Sequence, residues 1–201
     1  MRSVDRLNAL LKQVPAVAVY VAGVLPAIWL FWQAITGTLS IEPIKSLEHE
    51  TGELGLQLLI ATLLVTPLRR FTGINLLRLR RALGLLAFFY IALHLLIWLL
   101  LDVQDPAMIW ADVVKRPYIT VGMLGFVLLV PLAITSNNRS IRVLGRRWHA
   151  LHRLAYVAIP LGGLHFVMQA KGLQIEPLVY LGVIFGLLFV RLSALKRRRL
   201  A

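Results

Sequence analysis

Long apolar runs alternate with short polar loops along the whole chain, and the runs are close to one another in length. Six stretches, roughly 16–36, 52–68, 82–101, 118–136, 150–169 and 177–193, are dominated by apolar residues. A helix that crosses the hydrocarbon core of a bilayer needs about 20 such residues, range about 17–25. The pattern therefore predicts an all-α integral membrane protein, a six-transmembrane-helix bundle. Pro67, Pro117 and Pro177 fall at or near segment ends, where a missing N–H costs least, and Gly52 and Gly84 fit the same boundaries. No linker, low-complexity tract or second domain interrupts the series, so residues 1–201 read as a single domain.

The polar loops set the topology. Eighteen of the 22 Lys and Arg residues lie in four places: the N-terminus, 69–81, 137–153 and the C-terminal tail. The other three loops hold Lys45, Lys115, Arg116 and Lys171, together with most of the acidic side chains. Basic loops stay on the cytoplasmic side, which predicts that both termini are cytoplasmic, in agreement with an even number of spans. Trp29, Trp32, Trp98 and Trp148 fall near span ends, as interfacial anchors do. The first apolar run is longer than the roughly 7–15 residues of a signal-peptide core and lacks a small-residue cleavage site, so it reads as a retained span.

Composition adds two exclusions. A net charge of +13 could point to nucleic acid, but 59% of residues are hydrophobic and the mean hydropathy is +0.77. The basic residues lie between membrane runs, with no soluble domain to present them, so nucleic acid is excluded as a partner and the lipid bilayer is the expected one. The chain has no cysteine. Iron–sulfur clusters, thiolate-ligated haem and covalently attached haem are thereby excluded, and a redox metal would need histidine, methionine or oxygen ligands.

Histidine is where the chemistry gathers. Ionisable residues inside membrane helices are rare and mark function by default, although a lone histidine can also simply bond one helix to another. His94 lies 13 residues beyond Arg81 on the third run, and His165 lies 13 beyond His152 on the fifth. Both runs head outward, so at about 1.5 Å per residue both imidazoles sit roughly 20 Å from the cytoplasmic anchor. Two imidazoles at one level on two helices are the donor set of a six-coordinate b-type haem, a site for electron transfer rather than oxygen activation.

His152 lies nearer the cytoplasmic face and could serve a second, inner haem. The equivalent position on the third run is Arg81, so its partner is left open between His149, a five-coordinate site and a non-histidine ligand. Arg78, Arg80 and Arg81 suit propionate carboxylates, because guanidinium forks pair well with them; topology alone also accounts for these arginines. His152 and His165 stand about 140° apart on an ideal helix. Pro160, Gly162 and Gly163 between them are candidates for a bend. His49, in "SLEHETGELG", has no assigned role, and Thr51 and Glu53 read as helix-start residues.

The stretches "AGVLPAIWLFW", "EPIKSLEHETG", "LLIATLLVTPLRR", "RLRRALGLLAFFYIALHL", "KRPYITVGMLG", "LAITSNN" and "LGRRWHALHRLAYV" occur in this order. With them the chain resembles, over essentially its whole length, the MsrQ family of the ferric-reductase-like transmembrane superfamily. The resemblance implies haem-ligating roles for His94, His152 and His165, and His149 is not part of that pattern. It implies haem b, one or two per chain, and FMN as cofactors, in a bacterial inner membrane. As electron donor it implies a cytoplasmic flavin reductase or the quinone pool. As acceptor it implies a periplasmic molybdopterin-containing reductase that repairs methionine sulfoxide in oxidised proteins. No nucleotide-binding G-x-G-x-x-G follows a strand, so electrons are expected from a separate carrier. Two other readings compete: a ferric-chelate reductase or quinone-linked cytochrome b with a small-molecule acceptor, and a small transporter without haem.

Overall fold

A computed structural model describes residues 2–170, 172 and 174–200, with side chains throughout these except at 2, 3, 192 and 194–200. Among the described residues there are ten α-helices and no strand. They are α1 (Arg2–Gln13), α2 (Ala16–Ile35), α3 (Pro43–Thr72), α4 (Arg80–Ile97), α5 (Pro106–Lys115), α6 (Pro117–Ile134), α7 (Asn138–Leu144), α8 (Arg146–Leu151), α9 (Ala155–Gln169) and α10 (Ile175–Leu200). A π-helical turn, Trp98–Val103, extends α4, and a 3-10 turn, His152–Leu154, joins α8 to α9.

Among the described residues five helical stretches are long and apolar enough to cross a membrane: Ala16–Ile35, Pro43–Thr72, Arg80–Val103, Pro117–Ile134 and Arg146–Gln169. The sixth expected run, 177–193, falls within α10, where Leu192 lies outside the described side chains. Lys171 lies outside the described residues altogether.

Several boundaries differ from those the sequence predicts. α3 begins at Pro43, nine residues before Gly52, because Pro at the first helical position is preorganised for a helix and has no N–H to lose. The segment read as an external loop is thus its first two turns. Thr51 does not start the helix; it is buried, and its hydroxyl donates to the Leu47 and Glu48 carbonyls at 2.7 and 3.0 Å. Gly84 likewise lies inside α4. The loop after the third run folds into α5, capped by the Asp105 carboxylate, which accepts from the Ala107 N–H at 2.8 Å. Trp98 is not an interfacial anchor: at 7% exposure it belongs to the interior, whereas Trp29 and Trp32 stand 60% exposed.

The most extensive packing is between α3 and α4, followed by α6 against α9, and α10 closes on both α9 and α3. Leu56, Leu59 and Leu63 of α3 meet Ala87, Leu129, Ala158, Ile159 and Ile184 in one buried cluster. α2 is held through Tyr90, which is 1% exposed. Its hydroxyl donates to the Gly23 carbonyl at 2.7 Å and accepts from the Ala27 N–H at 3.2 Å. It therefore bridges a donor and acceptor one helical turn apart, beside Pro26, which has no N–H to give to the preceding turn.

Three basic segments gather at one end of the bundle. Asn8 of α1 donates to the Gly73 carbonyl at 3.0 Å and accepts from the Asn75 N–H at 2.9 Å. Arg78 bonds the Lys12 carbonyl, and Arg81 donates to the Asn138 side chain at 2.8 Å. The N-terminal helix, the 69–81 segment and α7 therefore lie on the same side.

Candidate functional site

Toward the other end, α3, α4, α6 and α9 enclose a cavity of about 410 Å³. His94 of α4 and His165 of α9 face each other across it, with ring centroids 6.1 Å apart and ring planes 76° apart. Both rings are packed inside the bundle, and their remaining exposure opens onto the cavity.

Each imidazole is held by a backbone carbonyl of the neighbouring helix. His94 Nδ1 lies 2.8 Å from the Glu48 oxygen on α3, and His165 Nδ1 lies 2.7 Å from the Tyr118 oxygen on α6. A carbonyl can only accept, so Nδ1 carries the proton and Nε2 keeps its lone pair on the cavity side. This is the arrangement that metal-ligating histidines use: the second nitrogen donates to a carbonyl, fixing tautomer and ring orientation and raising ligand basicity.

Glycine makes the approach possible. A Cβ on Gly52 would sit 2.9 Å from His94 Nδ1, and one on Gly122 would sit 2.7 Å from His165 Nδ1. Both glycines stand four residues after the accepting carbonyl, one helical turn on, and both are followed three residues later by another glycine, Gly55 or Gly125. Gly55 faces Ile91, three residues before His94, and Gly125 faces Leu161, four before His165. The pairs α3–α4 and α6–α9 thus build the two walls with the same device. "GELG" and "GMLG" were the signal in the sequence, read there only as span boundary and apolar run.

The donor set fits a bis-imidazole haem. Two neutral imidazoles on separate walls, facing each other with ring centroids 6.1 Å apart, are the ligand type that haem iron takes. The floor is apolar, with Leu56, Leu59, Leu129 and Ala158, and the mouth, away from the basic end, is polar, with Lys45, Glu48, Asp102 and Arg116. No cluster of three or more His, Cys, Asp or Glu side chains that could hold a bare metal ion occurs among the described residues. His49 also lines this cavity, 5.8 Å from the Phe166 ring and 4.0 Å from Glu53. Glu53 accepts from Gln57 and Tyr180, both at 2.8 Å, which ties α10 to the same wall.

The remaining predicted residues lie elsewhere. His152 is at the basic end, stacked on Trp148 at 3.8 Å, with Nε2 3.0 Å from the Thr135 hydroxyl. His149 is exposed and edge-on to Trp148. Arg78 and Arg81 make the backbone and Asn138 contacts described above, and neither lines the cavity. Arg80 and Arg191 instead lie near Tyr156, and Arg80 is within electrostatic reach of His152. A 3-10 turn, His152–Leu154, interrupts the helix between His152 and His165. α9 is continuous through Pro160, while Gly163 admits Ile184 and Leu181 of α10, which would lie 2.7 and 3.0 Å from a Cβ.

Residues 51–163 match the family described as ferric reductase like transmembrane component. The chain is 50% identical, over 174 residues, to the protein-methionine-sulfoxide reductase heme-binding subunit MsrQ of Brucella anthropi, covering 86% of this chain and 79% of that protein. The MsrQ of Brucella ovis is 50% identical over 175 residues, 87% of this chain and 80% of its own. With a family match over more than half its length and relatives this similar across most of it, the chain belongs to the MsrQ family of ferric-reductase-like transmembrane proteins.

Proposed function

We propose that the chain is a haem b electron-transfer subunit of the bacterial inner membrane. On this reading it passes electrons from the cytoplasmic side to a periplasmic molybdopterin-dependent reductase of protein methionine sulfoxide. The observation that carries the proposal is the facing of His94 and His165, each with Nδ1 committed to a carbonyl and Nε2 turned to the cavity. The name of the relatives, heme-binding subunit of a protein-methionine-sulfoxide reductase, supports the haem and the class of acceptor.

Haem b, when bound, supplies a one-electron Fe(III)/Fe(II) couple. The chain's own part is to hold both imidazoles neutral and aligned, with the open positions of the cavity walls formed by Gly52 and Gly122. His94 and His165 would hold the haem iron, and a haem whose ligands both come from the protein would favour electron transfer over substrate chemistry at the metal. The apolar floor separates the site from the basic end and limits water around it.

The basic end is taken as cytoplasmic, with both termini there and α10 as the sixth span; the joining of α1, 69–81 and α7 on one side supports this. Donation at that face falls to a cytoplasmic flavin reductase or membrane quinone, with FMN as the flavin implied by the resemblance. His152 is assigned to the inner end of the route, as ligand of a second haem. Arg80 and Arg191 supply positive charge there, and the buried Nη1 of Arg191 has no hydrogen-bond partner among the described residues, a donor that an anionic group would satisfy.

The test is an optical and EPR titration of the purified full-length protein with haem. A reducible, low-spin bis-imidazole spectrum is expected, lost in both His94→Ala and His165→Ala. A protein that binds no haem, or binds it unchanged without those side chains, overturns the reading.

A further inference from the structure

The outer cavity carries an asymmetry that the histidines do not explain. Among its described lining side chains the lysine and arginine cations are Lys45 and Arg116, and each belongs to a different wall. Lys45 lies in the first turn of α3, three residues before the Glu48 carbonyl; Arg116 immediately precedes α6, two residues before the Tyr118 carbonyl. The duplicated device of carbonyl, glycine and histidine therefore continues outward into a matched pair of positive charges.

We propose that Lys45 and Arg116 receive the two propionate carboxylates of the outer haem, one from each wall, and so set which way the macrocycle faces. This inference rests on the haem reading given above. A haem held between His94 and His165 has one edge bearing two carboxylates and an opposite edge that is apolar. The floor of Leu56, Leu59, Leu129 and Ala158 cannot take ionised groups, because a buried charge without a partner costs far more than the site could recover. The carboxylate edge must therefore point to the mouth, where Glu48 and Asp102 already stand. Propionates brought beside Asp102 in that opening repel it unless cations lie among them.

Both cations are already arranged for carboxylates. Lys45 Nζ lies 2.8 Å from Glu42, and Arg116 Nε lies 3.2 Å from Asp112. The Lys45 pair is 64% exposed on both sides, and exposed pairs of this kind contribute little, so exchanging a surface carboxylate for a propionate is cheap. Arg116 has five N–H donors. Its Nη1 reaches the Tyr118 hydroxyl at 3.4 Å, which fixes the guanidinium beside the helix whose carbonyl holds His165.

The experiment compares two ligands on full-length protein in detergent: protohaem, and its dimethyl ester, in which both carboxylates are blocked. Wild type, Lys45→Gln, Arg116→Gln and the double variant are titrated by Soret absorbance, and the bis-imidazole EPR signal is recorded for each. Each single substitution is expected to weaken protohaem binding by roughly tenfold, a typical loss for one charge-assisted hydrogen bond, and the double variant by more. The dimethyl ester should bind wild type as weakly as protohaem binds the double variant, and the substitutions should leave ester binding unchanged, with the EPR signal preserved. Equal protohaem affinity in all four proteins overturns the proposal, as does an equal loss for both ligands, which would mark a structural role. Wild type that binds neither ligand overturns the haem reading itself and this inference with it.

Discussion

His94 Nδ1 and the Glu48 carbonyl oxygen lie 2.8 Å apart, a contact between two helices that is possible only because the residue one turn beyond Glu48 is Gly52. The ring stands where a side chain on α3 would otherwise be, and its proton is given to a carbonyl that also accepts from Thr51 at 3.0 Å.

Gly52→Ala and Gly122→Ala should therefore weaken the site without removing a ligand. The added Cβ would meet Nδ1 at 2.9 or 2.7 Å and push the ring off its carbonyl. Overpacking of this kind costs about 1–3 kcal/mol, so haem affinity should fall roughly 5- to 150-fold. Displaced ring planes should also change the g-values of the low-spin EPR signal, which a general loss of folding would not do. Soret titration and EPR on the two variants check both.

His152→Ala should leave the outer spectrum intact, because its ring is bonded to Thr135 and stacked on Trp148, away from the cavity. If the inner end holds a second haem, haem per chain should drop from two to one, measured by pyridine haemochrome against protein concentration. A His152→Ala protein with unchanged haem content would remove His152 from the ligand set.

Tyr90→Phe should destabilise the attachment of α2. The hydroxyl donates to the Gly23 carbonyl and accepts from the Ala27 N–H, and losing it removes both bonds between α4 and α2. A buried polar group left unsatisfied costs about 1–3 kcal/mol. The thermal midpoint in detergent should fall by several degrees, while the His94–His165 spectrum of the folded protein is retained.

Gly163→Ala should disturb the contact of α9 with α10, since a Cβ there would meet Ile184 at 2.7 Å and Leu181 at 3.0 Å. Gly182→Ala and Gly186→Ala, where nothing lies within 4 Å, serve as controls and should be neutral or slightly stabilising through helix propensity. Thermal unfolding of the three variants side by side distinguishes packing from propensity.

Much of the architecture could be read from residue order alone, because run length in a membrane protein is tied to bilayer thickness. The pairing of His94 with His165 was legible for the same reason: equal distance from a basic anchor becomes equal depth on a helix. The walls were harder to see. Gly52 reads as a boundary when apolar runs are sought, yet what it does is decided by a ring arriving from α4. Lys45 and Arg116 were counted as topology, since charge by itself does not reveal which cavity it borders. Arg78 and Arg81 were weighed for propionates, and in the folded chain they join α1 and α7 to their own segment. Trp98 carries an anchor's composition at a span end, but the π-helical turn continuing α4 leaves it buried.

The two walls also have a consequence for how the protein is made. α3 and α4 emerge and enter the membrane well before α6 and α9, and each hairpin brings only half of the donors. Neither can capture an iron at both axial positions alone, so a full site appears only once the later hairpin has docked on the earlier one. A haem bound there would act as a staple between the halves, closing a loop of more than seventy residues. Its insertion would then be the last step of assembly, and its loss the first step in coming apart.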